Sequence, residues 1–324
     1  MPIITSDFYP SIPFRNGHFN TMYRPLFMKE EINYQRKRID TWDGDFIDLD
    51  FSKVGSSTLA LLIHGLEGSS ESKYMISTAN ELNSNKIDTV SFNLRGCSGE
   101  DNLLLGTYHS GKTEDVAFVV DHLLTNYQYE NIIIIGFSLG GNLTLKYMGE
   151  YADKLSNVIK GAIAFSVPID IASSEREMDK IKNKLYIEQF LKTIRLKVLE
   201  KSHKFPEFKL NKEKLFKTTK FKHLEELYTV PVFGFESPED YWHKASSKPY
   251  ISRINKPTLL VNAKDDSFLG TDCFPYEEAQ NSKHFYLEVT KYGGHVGFIT
   301  NFKQQESRWL EKRISSFISQ YILL

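Results

Sequence analysis

The sequence predicts an α/β fold: a mostly parallel central sheet with helices on both faces and a helical cap insertion. Three observations lead there. Short apolar, β-branched runs alternate with amphipathic segments along most of the chain. One such run, Asn131–Ile135, passes straight through Gly136-Phe137-Ser138-Leu139-Gly140 into a helical pattern. A hydrophobic content of 41%, with 23 Phe and 17 Tyr, supplies a core large enough for 324 residues to form one domain spanning 1–324.

The elements follow in order. Asp45–Phe51 alternates apolar and acidic residues, as a half-exposed early strand would. Thr58–Ile63 is apolar throughout and predicts a central strand. A helix over about Lys73 to Asn83 precedes a strand over Thr89–Phe92. Lys112 to Leu124 reads as a helix with Thr113 as its cap. Glu114 and Asp115 then fall in the first turn, where the helix dipole favours negative charge. The strand Asn131–Ile135 leads to a helix over Gly140–Met148, and further strands are expected at Ala162–Ser166, Thr258–Asn262 and Phe285–Val289. An amphipathic helix bearing Trp309, Ile314, Phe317, Ile318 and Tyr321 closes the chain.

One stretch breaks the alternation. Roughly ninety residues separate the strands near Ala164 and Leu259, far more than a crossover helix needs. Leu185, Phe190, Leu191, Ile194 and Val198 recur there at helical spacing, which predicts a cap insertion at about residues 170–250. Arg176–Lys222 carries 15 Lys+Arg against 6 Asp+Glu. That surplus reads first as a solvated helix face, and second as attraction to anionic lipid surfaces or acidic substrates.

Charge and composition exclude several classes. Lys+Arg 40 against Asp+Glu 41 gives no pull toward nucleic acid. No stretch has the apolar length of a membrane span, so lipid contact would be peripheral, through the basic cap. Met1–Phe14 lacks the basic start and apolar run of a secretory signal. Cys97 and Cys273 are far apart without metal-ligand spacing, as expected of reduced thiols in a cytoplasmic protein. No His, Cys or acidic cluster has metal spacing and no phosphate loop is present, so neither a metal nor a cofactor is expected.

The chemistry is expected at Ser138. A serine between a buried strand and a helix sits on a sharp turn with its hydroxyl above the sheet, and flanking glycines let strand and helix approach. This is the nucleophile-elbow arrangement of α/β-hydrolases. Such a serine needs a base and an orienting acid, in the chain order serine, acid, histidine. Of the nine histidines, His295 has the best context, in a paired-glycine loop after the last strand. Asp266 fits the acid's spacing better than Asp265, whose alternative role is a loop hydrogen bond or a surface charge. Two backbone N–H groups should stabilise the oxyanion. One is expected from Leu139, next to the nucleophile. The other is expected from Leu66, in the loop Ile63-His64-Gly65-Leu66-Glu67-Gly68, unless Gly65 and Gly68 merely form a turn.

Several longer strings are more specific than the elbow: Asn93–Glu100, Tyr108–Asp115, Asn16–Thr21, Asp240-Tyr241-Trp242 with Ser246-Ser247, and the run Gly293–Phe298. Through them nearly the whole chain resembles the YheT-like group of α/β-hydrolases. The resemblance implies a Ser138–Asp266–His295 triad and hydrolysis of carboxylic esters, with short- to medium-chain acyl esters or lipids as small-molecule substrates. Acyl transfer to an alcohol, a thioesterase or phospholipase activity on the same triad, and a non-catalytic binding scaffold are the alternatives. Two positions depart from the group's pattern, Ser267 and Gly270, where proline is usual or frequent. Arg95, His109 and Ser110 could line the pocket or brace its loops, and Cys97 reads as a small buried thiol.

Overall fold

The isoleucine run that opens at Asn131 lies at the centre of a nine-stranded sheet in the computed structural model, which describes residues 2–303 and 306–323. Met1 of the N-terminal stretch lies outside the described residues. The strands are β1 (Ile3–Ile4), β2 (Gln35–Asp40), β3 (Phe46–Ser52), β4 (Thr58–Ile63), β5 (Asp88–Asn93), β6 (Asn131–Phe137), β7 (Ile159–Phe165), β8 (Thr258–Ala263) and β9 (Phe285–Thr290). Their order is β1-β9-β8-β7-β6-β4-β5-β3-β2. All pairings are parallel except those of β3, which runs antiparallel to both β2 and β5.

Helices fill the connections: α1 (Gly17–Phe27), α2 (Lys73–Ser84), α3 (Thr113–Asn126), α4 (Leu139–Glu150), α5 (Ile171–Met178), α6 (Lys184–Lys204), α7 (Lys212–Phe216), α8 (Phe221–Leu227), α9 (Thr229–Phe233), α10 (Pro238–Ala245), α11 (Tyr276–Gln280) and α12 (Trp309–Phe317). Alternate residues of β4 divide the core. Leu59, Leu61 and Ile63 pack with Val116, Val120 and Leu143 of α3 and α4. Ala60 and Leu62 pack with Met75, Ala79, Leu310 and Ile314 of α2 and α12. A strand covered on both faces has no use for alternation, which is why β4 and β6 read as unbroken apolar runs.

Three local expectations are corrected. The acidic alternation of Asp45–Phe51 does not mark a half-exposed strand, because Asp48 and Asp50 of β3 are buried. Arg38 and Arg36 of β2 stand opposite them in register and clamp each carboxylate with two bonds of 2.8 Å. Thr113 is the first residue of α3 rather than its cap, and its hydroxyl donates to Glu150 instead. The closing helix changes at Ile318 from α12 to a π-helical turn over Ile318–Ile322.

Between β7 and β8 the chain forms α5 to α10. The helical spacing read over Leu185–Val198 is α6. This segment has its own apolar cluster, with Met178, Ile187, Leu191, Val198, Leu215 and Leu224 packed down onto Phe268 in the loop after β8.

Candidate active site

The loops after β4, β6, β7, β8 and β9 converge at one edge of the sheet, as expected when function is carried at the carboxyl ends of parallel strands. Ser138, between β6 and α4, adopts φ 53° and ψ −119°, a left-handed conformation that L-residues avoid. Close approach makes its two glycines necessary. A Cβ on Gly136 would lie 2.3 Å from the Gly140 carbonyl oxygen, and one on Gly140 would lie 2.3 Å from that of Ile63. The tight turn aims the Ser138 hydroxyl out of the sheet.

His295 Nε2 lies 2.8 Å from Ser138 Oγ, and His295 Nδ1 lies 2.8 Å from Asp266 Oδ2. Asp266 is buried, and its other oxygen accepts the Phe268 N–H at 2.9 Å. With Nδ1–H donating to the carboxylate, Nε2 is left as the acceptor of the serine proton, the tautomer that general-base chemistry requires. Asp265 faces elsewhere. Its Oδ1 accepts the Gly294 N–H at 2.9 Å, while Oδ2 is buried without a partner among the described residues. Burial, reinforced by the Asp266 charge, pushes the Asp265 carboxyl up to about 6 against the lowering pull of that N–H.

The loop after β4 lies opposite. Gly65 and Gly68 do close a turn, Gly68 N–H donating to the Gly65 carbonyl at 3.0 Å. Among the described residues, the N–H groups of Leu66 and Leu139 donate to no protein atom, and both residues line the same cavity as Ser138. Buried His64 fixes the loop's entry. Its Nε2 accepts the Leu94 N–H at 3.1 Å and its Nδ1 donates to the Gly65 carbonyl at 2.7 Å. Burial pulls His64 down to about 4, so it stays neutral as a brace.

A cavity of about 610 Å³ opens above Ser138. Met178, Phe190, Ile194, Val198, Phe221 and Leu224 of the helical segment give it an apolar wall facing His295 and Phe268. Residues that the sequence placed near the pocket without a role divide. Arg95 is a structural cation, doubly bonded to Asp115 and paired with Asp43 and Asp45. His109 sits against Phe233, Phe235 and Tyr241, and burial drives it down to about 3. Cys97 is a buried thiol raised to about 12 by burial. Gly270 packs on α5 so tightly that a Cβ would meet Ser173 Oγ at 2.1 Å. Among the described residues, no group of three or more His, Cys, Asp or Glu could hold a metal ion.

Helix α1 also contributes to the site, although none of its residues belongs to the catalytic motifs. Thr21 Oγ1 accepts the His295 N–H at 2.8 Å and donates to the Gly17 carbonyl at 2.7 Å. Buried Asn20 bonds both the N–H and the carbonyl of Ile299. Arg24 donates to the Gly297 carbonyl and pairs with Glu311 at 2.5 Å, both side chains fully enclosed. From the other side, Ser166 Oγ accepts the Val296 N–H at 2.8 Å. Helix α1 therefore holds the histidine loop from above. The Asn16–Thr21 string was the only signal for it, and its chemistry is positional.

Known proteins share this architecture. The model of the family described as alpha/beta hydrolase fold matches residues 60–302. YheT, an inferred esterase of Escherichia coli (strain K12), is 29% identical over 98% of this chain and 94% of its own. Phospholipase ABHD3 of Homo sapiens is 28% identical over 99% of this chain and 80% of its own. Among solved structures, the Pyrococcus furiosus esterase Pf2001 superposes with a TM-score of 0.57 at 19% identity, covering 90% of this chain and 93% of that one, a likeness of fold. With the family model matched from β4 to the loop beyond the candidate histidine, and relatives aligned over nearly the full length, the chain belongs to the alpha/beta hydrolase fold family.

Proposed function

We propose that the protein is a serine hydrolase that cleaves carboxylic esters, short- to medium-chain acyl esters or lipids, through an acyl-enzyme. The observation that carries this reading is the unbroken Ser138–His295–Asp266 chain of 2.8 Å contacts opening on an apolar cavity. His295 Nε2 takes the Ser138 proton as Oγ attacks the ester carbonyl, and Asp266 holds and stabilises the imidazolium. The Leu66 and Leu139 N–H groups receive the oxyanion. His295 then protonates the departing alcohol, and water releases the acid by the same route.

In this reading the chain is one domain, and the helices between β7 and β8 are a cap that sizes the acyl group. Contact with lipid through the cap's basic surface is peripheral. Many of those cations are paired locally, among them Lys180 and Lys182 with Glu177 and Lys220 with Asp179, which favours the solvated-face account of the charge. No helix among the described residues is long and apolar enough to cross a membrane. Two buried free thiols support a cytoplasmic location.

The test is hydrolysis of p-nitrophenyl esters, acetate through laurate, with and without added alcohol. The esterase reading expects turnover that the Ser138→Ala substitution abolishes, a best length set by the cavity, and free acid as the main product. An ester product in alcohol would make it an acyltransferase, and no turnover by folded protein on any ester would leave a binding scaffold.

A further inference from the structure

Beside the proposed oxyanion loop lies a cluster of ionisable groups that the mechanism does not use. Glu67, the residue after Leu66, has φ 54°, another left-handed non-glycine position. Tyr108 holds it at two points. The tyrosine hydroxyl accepts the Glu67 N–H at 2.9 Å and donates to Glu67 Oε1 at 2.8 Å. The third member comes from the helical segment. Lys197 of α6 places Nζ 3.0 Å from Oε1 and 2.9 Å from Oε2 of the same carboxylate. Cys97 Sγ lies 3.7 Å from the same Nζ.

Burial gives this ion pair its weight. The Glu67 side chain is only 9% exposed, so its charge needs a partner, and Lys197, one-third exposed at 33%, reaches in from the cap to supply it. A carboxylate that is both neutralised and bonded keeps Tyr108 fixed, and Tyr108 keeps the Glu67 peptide in a conformation it would otherwise leave. The peptide immediately before it carries the Leu66 N–H.

We infer that the Lys197–Glu67 ion pair is a latch through which helix α6 sets the position of the oxyanion-binding Leu66 N–H, making Lys197 a positioning residue. The inference rests on the esterase reading and adds to it a coupling between the wall that contacts the acyl chain and the donor that stabilises the transition state. An α6 displaced by an ill-fitting chain would slacken the loop, so chain-length selectivity would show in kcat as well as in KM.

Lys197→Met, Lys197→Arg and Glu67→Gln, assayed on p-nitrophenyl butyrate, test it. Complete loss of an oxyanion donor costs about 100- to 1,000-fold in kcat, so a loosened one should cost on the order of tenfold. The expected result is a fall of that size in kcat for Lys197→Met and Glu67→Gln, with KM within about twofold. Affinity for a trifluoromethyl ketone, which forms the tetrahedral adduct, should fall in parallel. Lys197→Arg should restore most of the loss, and the Lys197→Met and Glu67→Gln effects should not add. Unchanged kcat in both neutralising variants, a loss confined to KM, or fully additive losses would overturn the latch. Thermal midpoints identify a variant that fails to fold, and Glu67→Gln, nearly isosteric, then carries the test. Wild-type protein without Ser138-dependent turnover would instead overturn the esterase reading itself.

Discussion

Asp265 and Asp266 are neighbours in the chain with different surroundings, and their hydrogen bonds set them apart. Asp266 points both oxygens at donors, His295 and the Phe268 N–H. Asp265 leaves one oxygen buried and, among the described residues, unpartnered. Its folded carboxyl is raised from 3.8 to about 6. Its contribution to stability is therefore fully present below the unfolded value and is lost as pH rises through about 6. Asp265→Asn keeps an oxygen for the Gly294 N–H and cannot ionise. Thermal melts should show it about 1 kcal/mol more stable than wild type above pH 6, with the gain vanishing below pH 4. A variant that melts lower than wild type at pH 8 would contradict this account. The spacing of Asp266, followed by a small residue and then Phe268, favours it over Asp265 in the sequence, and it is Asp266 Oδ2 that lies 2.8 Å from His295 Nδ1. For Thr21 on the His295 N–H, the Asn16–Thr21 string marks the segment, but the contact spans 274 residues and no local pattern shows it.

Helix α1 shows what periodicity cannot reveal. Residues 17–27 carry an apolar stripe at helical spacing, Phe19, Met22, Tyr23, Leu26 and Phe27, yet four of those five are exposed while the polar Asn20 and Arg24 are buried, so the pattern points to the wrong face. Its buried face is polar because it packs on the backbone of the histidine loop, whose carbonyls and N–H groups need partners. Thr21→Val keeps the volume and removes the hydroxyl. It should lower kcat about tenfold at nearly constant KM, with a stability loss of about 1 kcal/mol by thermal melt. Arg24→Met strands Glu311, and urea unfolding should show a loss of about 3–5 kcal/mol. Strands β4, β6 and β8 were legible because burial on both faces writes itself as an apolar run. The acidic residues of β3 misled because a strand pattern does not say that arginines on the next strand will cover them.

At the scale of the molecule, the mostly parallel sheet gathers the loops after β4 to β9 at one edge, and residues of α5, α6, α8, α9 and α10 line the cavity with them. The long gap between Ala164 and Leu259 made that helical segment visible in the sequence. Which of its residues face the cavity required the packing. Filling the cavity tests the link between architecture and specificity. Ile194→Trp should lower kcat/KM for p-nitrophenyl octanoate by about tenfold or more while acetate changes little, because only the longer chain reaches that wall. Equal losses on both esters would place the acyl group elsewhere.

The proposed hydrolysis depends on acylation of Ser138 at its Oγ. Acid-quenching the protein during turnover of p-nitrophenyl butyrate and mapping the added mass by peptide sequencing tests it most directly. The account predicts one butyryl group on Ser138, absent from Ser138→Ala, which should also lose turnover by a factor on the order of 10⁴ or more. Butyryl on another residue, or a Ser138→Ala variant that hydrolyses the ester as fast as wild type, would contradict it.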